Sequence, residues 1–106
     1  MEQKIYIKLT NLIIYSKKIL INYPKAEKYA LVEKILRRLE VVLENLIRIK
    51  NEKDIIEKER YLNSICIEMY ILKNYIKLSY ELKYISTKVF MCWSNNIEKI
   101  SKLCER

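Results

Sequence analysis

The sequence predicts an all-α protein, an up-down-up-down four-helix bundle, and three observations predict it. The 106 residues contain no glycine and a single proline, Pro24. Strands are joined by turns, and turns draw on glycine, proline and Asn-Gly pairs. Apolar residues recur at helical spacing through four long segments, the pattern of helices that bury one face. The breaks between these segments are short, which sets consecutive helices antiparallel. The chain is 51% hydrophobic and 32% charged, a folded composition, and its length makes one domain, 1–106.

Helix one is expected over 3–22. Ile5, Leu9, Leu12, Ile13, Ser16, Ile19 and Leu20 fall on one face. A second stripe, Ile7, Ile14 and Ile21, repeats every seven residues on another side. One bundle needs one apolar stripe per helix, so this stripe is read as an oligomer interface. Asn22-Tyr23-Pro24 ends the helix. Proline fits the first turn of the next one, where its missing N–H has no intrahelical partner.

Helix two is expected over 25–50. Leu31, Val32, Ile35, Leu36, Leu39, Val42, Leu43, Leu46 and Ile47 make a wide apolar face. Lys34, Arg37, Arg38 and Arg48, with Asn45, form a basic stripe away from it, beside an acidic stripe of Glu33, Glu40 and Glu44. The stripe is either a phosphate-contacting surface or a solvated face with ion pairs such as Glu33–Arg37, Glu40–Arg37 or Glu44–Arg48. Asn51-Glu52-Lys53-Asp54 is the next break, with Asp54 as cap.

Helix three is expected over 55–84. Its core side carries Tyr61, Leu62, Ile65, Met69, Leu72, Ile76 and Tyr80, with Cys66 at the margin. Lys73, Lys77 and Lys83 add charge toward its C-terminal half, where cations suit the helix dipole. Ser86 or Thr87 caps helix four, expected over 88–104, whose inner side carries Val89, Trp93, Ile97, Ile100 and Cys104.

The net charge is +8, from 21 basic and 13 acidic residues. That excess suits a polyanion partner. No apolar run of about 18 residues exists to cross a membrane, and the N-terminus lacks an apolar leader core. Cys66, Cys92 and Cys104 show no CxxC spacing and read as reduced, buried thiols of a cytoplasmic protein. The absence of histidine excludes a Cys/His zinc site and removes the commonest general base. The absence of glycine excludes phosphate-cradling loops. No catalytic residues, metal, cofactor or small-molecule substrate are expected; the chain reads as a binding or scaffolding module, not an enzyme.

Four segments carry a family resemblance. The first is Tyr23-Pro24-Lys25-Ala26-Glu27-Lys28-Tyr29-Ala30-Leu31, followed by Ile35-Leu36-Arg37-Arg38. The others are Leu72-Lys73-Asn74-Tyr75-Ile76-Lys77-Leu78-Ser79 and Leu82-Lys83-Tyr84-Ile85-Ser86. In order and spacing they resemble the Avd family, the accessory variability determinants of diversity-generating retroelements. The resemblance implies a ring-like homo-pentamer of four-helix bundles. It also implies an accessory protein that binds the element's reverse transcriptase and its template RNA, or DNA, and supports mutagenic cDNA synthesis and retrohoming. Under it, Lys34, Arg37, Arg38, Arg48, Lys73 and Lys77 are the nucleic-acid or reverse-transcriptase surface. The chain departs from the family in lacking a terminal glycine turn and tryptophan, and in carrying lysine at Lys77 where arginine is common. A sibling family with the same bundle is encoded in intervening sequences of 23S ribosomal RNA genes. Its Asn-Ile-Ala-Glu-Gly-like segment is here Glu44-Asn45-Leu46-Ile47-Arg48, which keeps the asparagine. A third reading is an oligomeric protein adaptor that binds no nucleic acid.

Overall fold

Four α-helices account for most of residues 2–105, the part of the chain described by the computed structural model. They are α1 (Glu2–Leu20), α2 (Leu31–Asn51), α3 (Ile55–Glu81) and α4 (Thr87–Cys104). Each helix packs on two others: α1 on α2 and α4, and α3 on α2 and α4. Helices α1 and α3 are therefore diagonal, as are α2 and α4. No strand occurs among the described residues.

Two short connections give clear stop signals. The Asp54 carboxylate accepts a hydrogen bond from Ile56 N–H (2.9 Å) and caps α3. Ser86, rather than Thr87, caps α4, with its hydroxyl accepting from Val89 N–H (3.1 Å). Helix α3 ends at Glu81, before the expected Tyr84. There Lys83 takes a left-handed conformation (φ 65°). The N–H groups of Tyr84 and Lys83 close back onto the carbonyls of Ser79 and Tyr80 (both 3.0 Å). This is a Schellman closure, usually built on glycine; a chain without glycine builds it on lysine.

The first connection corrects the expected start of helix two at Lys25. Residues Lys25–Glu27 form only a 3-10 turn, and Ala30 (φ −122°, ψ −101°) interrupts the helical path before Leu31. Glu27 explains how the break is held. Its carboxylate accepts from Leu31 N–H (3.4 Å) and from the Tyr84 hydroxyl (2.6 Å). Tyr84 also packs on Tyr23, with ring centroids 5.3 Å apart. The α1–α2 and α3–α4 connections are thus fastened together at one end of the bundle.

The core follows the spacing of each helix. Ile5, Leu9, Leu12 and Leu20 of α1 meet Ile35, Leu39, Val42 and Leu46 of α2, Ile65, Met69, Leu72 and Ile76 of α3, and Trp93, Ile97 and Ile100 of α4. Helix α2 corrects the expectation at two places: Ile47 is half exposed, and Ile49 is buried in its stead. Asn45, assigned to the basic stripe, is buried as well. Buried positions 31, 35, 39, 42, 46 and 49 are separated by steps of four or three, which keeps one seam toward the partners. The largest core side chain, Trp93, donates its indole N–H to Ser16 Oγ (2.9 Å), and that hydroxyl donates to Leu12 O (2.7 Å). A buried indole N–H without such a partner costs about 1–3 kcal/mol, which accounts for a serine on the inner face of α1.

Candidate nucleic-acid and partner interface

The basic side chains of α2 divide by what they touch. Lys34, Arg37 and Arg48 are exposed and, among the described residues, form no ion pair. None of the expected pairings of Arg37 or Arg48 with glutamates of α2 forms. Arg38 differs. Its Nη1 reaches both carboxylate oxygens of Glu68 on α3, at 2.8 and 3.1 Å. The two side chains are only 25% and 15% exposed. Breaking one partner of such a shielded pair leaves the other unsatisfied, so Arg38 fastens α2 to α3.

Lys73 and Lys77 lie on the other flank of α3, along a groove that α4 closes with Phe90 and Glu98. Lys73 Nζ donates to Glu98 at 2.8 Å in a solvent-exposed pair. That bond and the lysine charge hold the Glu98 carboxyl below the usual carboxylate range. Lys77 is exposed and forms no ion pair among the described residues. The six cations therefore do not make one patch. Arg38 marks the α2–α3 seam and Lys73 the α3–α4 seam. Along α2, Lys34 and Arg48 stand about 21 Å apart at 1.5 Å per residue.

Ile7 and Ile14 stand on the outer face of α1 and Ile21 just past its end, 53%, 49% and 82% exposed. Sequence reasoning missed a counterpart on α3, where Ile67, Tyr70 and Leu78 are also exposed. Steps of three, four and seven among Ile67, Tyr70, Ile71, Asn74 and Leu78 were the available signal, hidden because the apolar residues of α3 are spread over several of its faces. Since α1 and α3 are diagonal, the bundle carries uncovered apolar surface on two opposite sides.

With this geometry in place, comparison with known proteins gives one match of fold. A crystal structure of a protein of unknown function from the S23 ribosomal protein family of Bacteroides thetaiotaomicron superposes with a TM-score of 0.78. The match covers 97% of this chain and 93% of that one, at 18% sequence identity. At that identity the likeness shows the four-helix fold. No protein-family model matches the chain, and no curated protein matches it in sequence.

Among the described residues, no helix is long and apolar enough to cross a membrane. Nor do three or more Cys, Asp or Glu side chains converge as a metal site. Of the three thiols expected to be buried, that of Cys92 is exposed on α4, whereas those of Cys66 and Cys104 face each other where α3 and α4 meet. Burial, then the neighbouring Cys66, pushes the Cys104 thiol up to about 12, the opposite of a reactive thiolate.

Proposed function

We propose that this chain is a non-enzymatic accessory protein of a diversity-generating retroelement. It binds the reverse transcriptase and the template RNA and holds them in a working arrangement in the cytoplasm. The observation that carries this reading is a basic bundle whose Lys34, Arg37, Arg48 and Lys77 are spent on no internal ion pair among the described residues. Cations left free in this way are available to phosphates. The order of the motifs around Pro24, Arg37 and Lys77 supplies the retroelement context.

The uncovered apolar faces support a homo-oligomer. Two different patches on opposite sides of one protomer pair head to tail, and head-to-tail contacts close into rings when the rotation permits. A ring-like homo-pentamer is the assembly this reading takes. Ile14→Glu puts a charge into that contact and is expected to lower the solution mass to that of one chain by light scattering. An unchanged oligomer mass removes the α1 face from the assembly.

Reconstitution tests the functional role. Mixed with the reverse transcriptase of its element and the template RNA, the protein is expected to form a stable complex and raise cDNA synthesis. A mixture that neither associates nor changes synthesis overturns it.

A second reading has one observation in its favour: the fold neighbour belongs to the S23 ribosomal protein family. In that reading the chain is a bundle of the 23S intervening-sequence type, and ribosomal RNA replaces the template as the nucleic acid recovered with it.

A further inference from the structure

Residues 17–34 and 77–88 contain eight lysines, no arginine and three glutamates. These segments are remote in sequence, but both connections lie at one end of the bundle. The Tyr84 hydroxyl donates to Glu27 at 2.6 Å, and Tyr23 packs on Tyr84. Lys17 and Lys18 come from the last turn of α1, Lys25 and Lys28 from the first connection, and Lys83 and Lys88 from the second connection and the start of α4. All six are exposed, and among the described residues none forms an ion pair. Of the three acids, Glu27 is taken up by Tyr84 and by Leu31 N–H.

The bundle measures 43 × 25 × 19 Å, so these charges share an end face of about 25 by 19 Å. Screening acts over about 8 Å at physiological salt, and neighbouring lysines on such a face reinforce one another. Two helices begin at this end and two finish there, so the backbone dipoles offset and the field comes from side chains. The other connection is different. Residues 48–60 hold five basic and four acidic residues.

An aromatic side chain stands among the lysines. Tyr29 is 82% exposed, and Lys28 Nζ sits 5.4 Å from its ring centroid. A ring presented to solvent beside an ammonium group offers a base a stacking surface and its phosphate a counter-charge.

Taking the RNA-binding reading above as its basis, we propose that this basic end, and not the length of α2, is the primary RNA-contacting surface, with Tyr29 stacking on an unpaired base. Single-stranded RNA fits better than a lipid surface. The exposed apolar side chains of the end, Ile21, Tyr29 and Leu82, come from three separate segments. A surface-bound helix would instead lay one continuous apolar face into the membrane.

The test measures binding of fluorescein-labelled oligouridylate by anisotropy across a salt series. It compares the wild type, Lys25→Glu/Lys28→Glu/Lys88→Glu, and the control Lys50→Glu/Lys53→Glu/Arg60→Glu at the other end. Circular dichroism checks that each variant keeps its helices. The basic-end variant is expected to lose affinity by on the order of tenfold or more, and its salt slope to fall by about 0.7 for each phosphate it no longer neutralises. The control keeps affinity within about threefold, because its segment is near charge balance. Tyr29→Ala is expected to weaken binding with the salt slope unchanged, since stacking releases no counterions. If the wild type binds and the basic-end variant binds equally well, the location is overturned and the RNA-binding reading stands. If the wild type binds no RNA but binds phosphatidylserine vesicles, both are overturned in favour of a membrane surface.

Discussion

At the end where α1 meets α2 and α3 meets α4, lysines outnumber acids eight to three; at the other end, residues 2–8, 48–60 and 98–105 set nine bases against seven acids. The two ends also use their charges differently. At the balanced end the acids work locally: Asp54 caps α3, Glu52 accepts from Asp54 N–H, and Glu57 pairs with Arg60 at 2.9 Å. At the basic end the fastening rests on aromatic rings and Glu27, and the lysines take no part in it. Charge that holds a chain together is unavailable to a partner. By that criterion the balanced end is structural and the basic end faces outward.

The largest effect on folding is expected near the basic end. Trp93 is wholly buried, packs edge-on to Tyr15 and bonds Ser16. Trp93→Ala is expected to cost about 3–5 kcal/mol in urea unfolding. A loss under about 1 kcal/mol would mean that Trp93 and its contacts with Tyr15 and Ser16 are not what holds this half.

Alkaline titration distinguishes the ends next. Cys104 ordinarily ionises near 9.0 and is raised to about 12 in the fold. The unfolded chain therefore sheds this proton first. The stabilisation is complete below pH 9 and is lost as pH rises toward 12. Cys66 is raised in the same direction. Tyr84 is raised by its hydrogen bond to Glu27 and Tyr23 by burial, each from 10.0. The balanced end is thus expected to loosen from pH 9 and the basic end only from pH 10. Cys104→Ala is expected to shrink the earlier phase in a stability-versus-pH series, with Cys66 supplying what remains. An undiminished phase assigns it elsewhere.

A smaller, local effect belongs to Tyr84→Phe. It removes the hydroxyl from Glu27 and leaves the ring on Tyr23. Hydrogen exchange is expected to quicken at the amides of 27–31 while those of 52–58 keep their rates. Equal acceleration at both ends would mean that the two connections are not independently fastened. The smallest change is a gain. Lys83→Gly relieves a left-handed residue and is expected to stabilise the protein by about 1 kcal/mol; an unchanged or lower melting temperature contradicts the strain.

The fold was legible because its signals are local. Missing glycine and helical periodicity in each segment need no tertiary information, and Asp54 and Ser86 announce their helices as caps. Helix two was misplaced because Pro24 followed by charged residues imitates a helix start. The break at Ala30 depends on Glu27 reaching Tyr84, 57 positions away. The site was less legible for the same reason. Nothing near Arg38 in sequence points to Glu68, and nothing near Lys25 places it at the same end as Lys83. Only the antiparallel arrangement gathers the lysines of two connections on one end, while the α2 stripe, visible along a single helix, spreads over its length.

The central claim is that RNA is the partner of this basic bundle, within a retroelement. Its most direct test is recovery of the tagged protein from its native cells after ultraviolet crosslinking, with the attached RNA sequenced and the attached proteins identified. The account predicts one discrete non-coding RNA together with a reverse transcriptase. Ribosomal RNA as the dominant species would contradict the retroelement role, and recovery of no RNA above an untagged control would contradict the account as a whole.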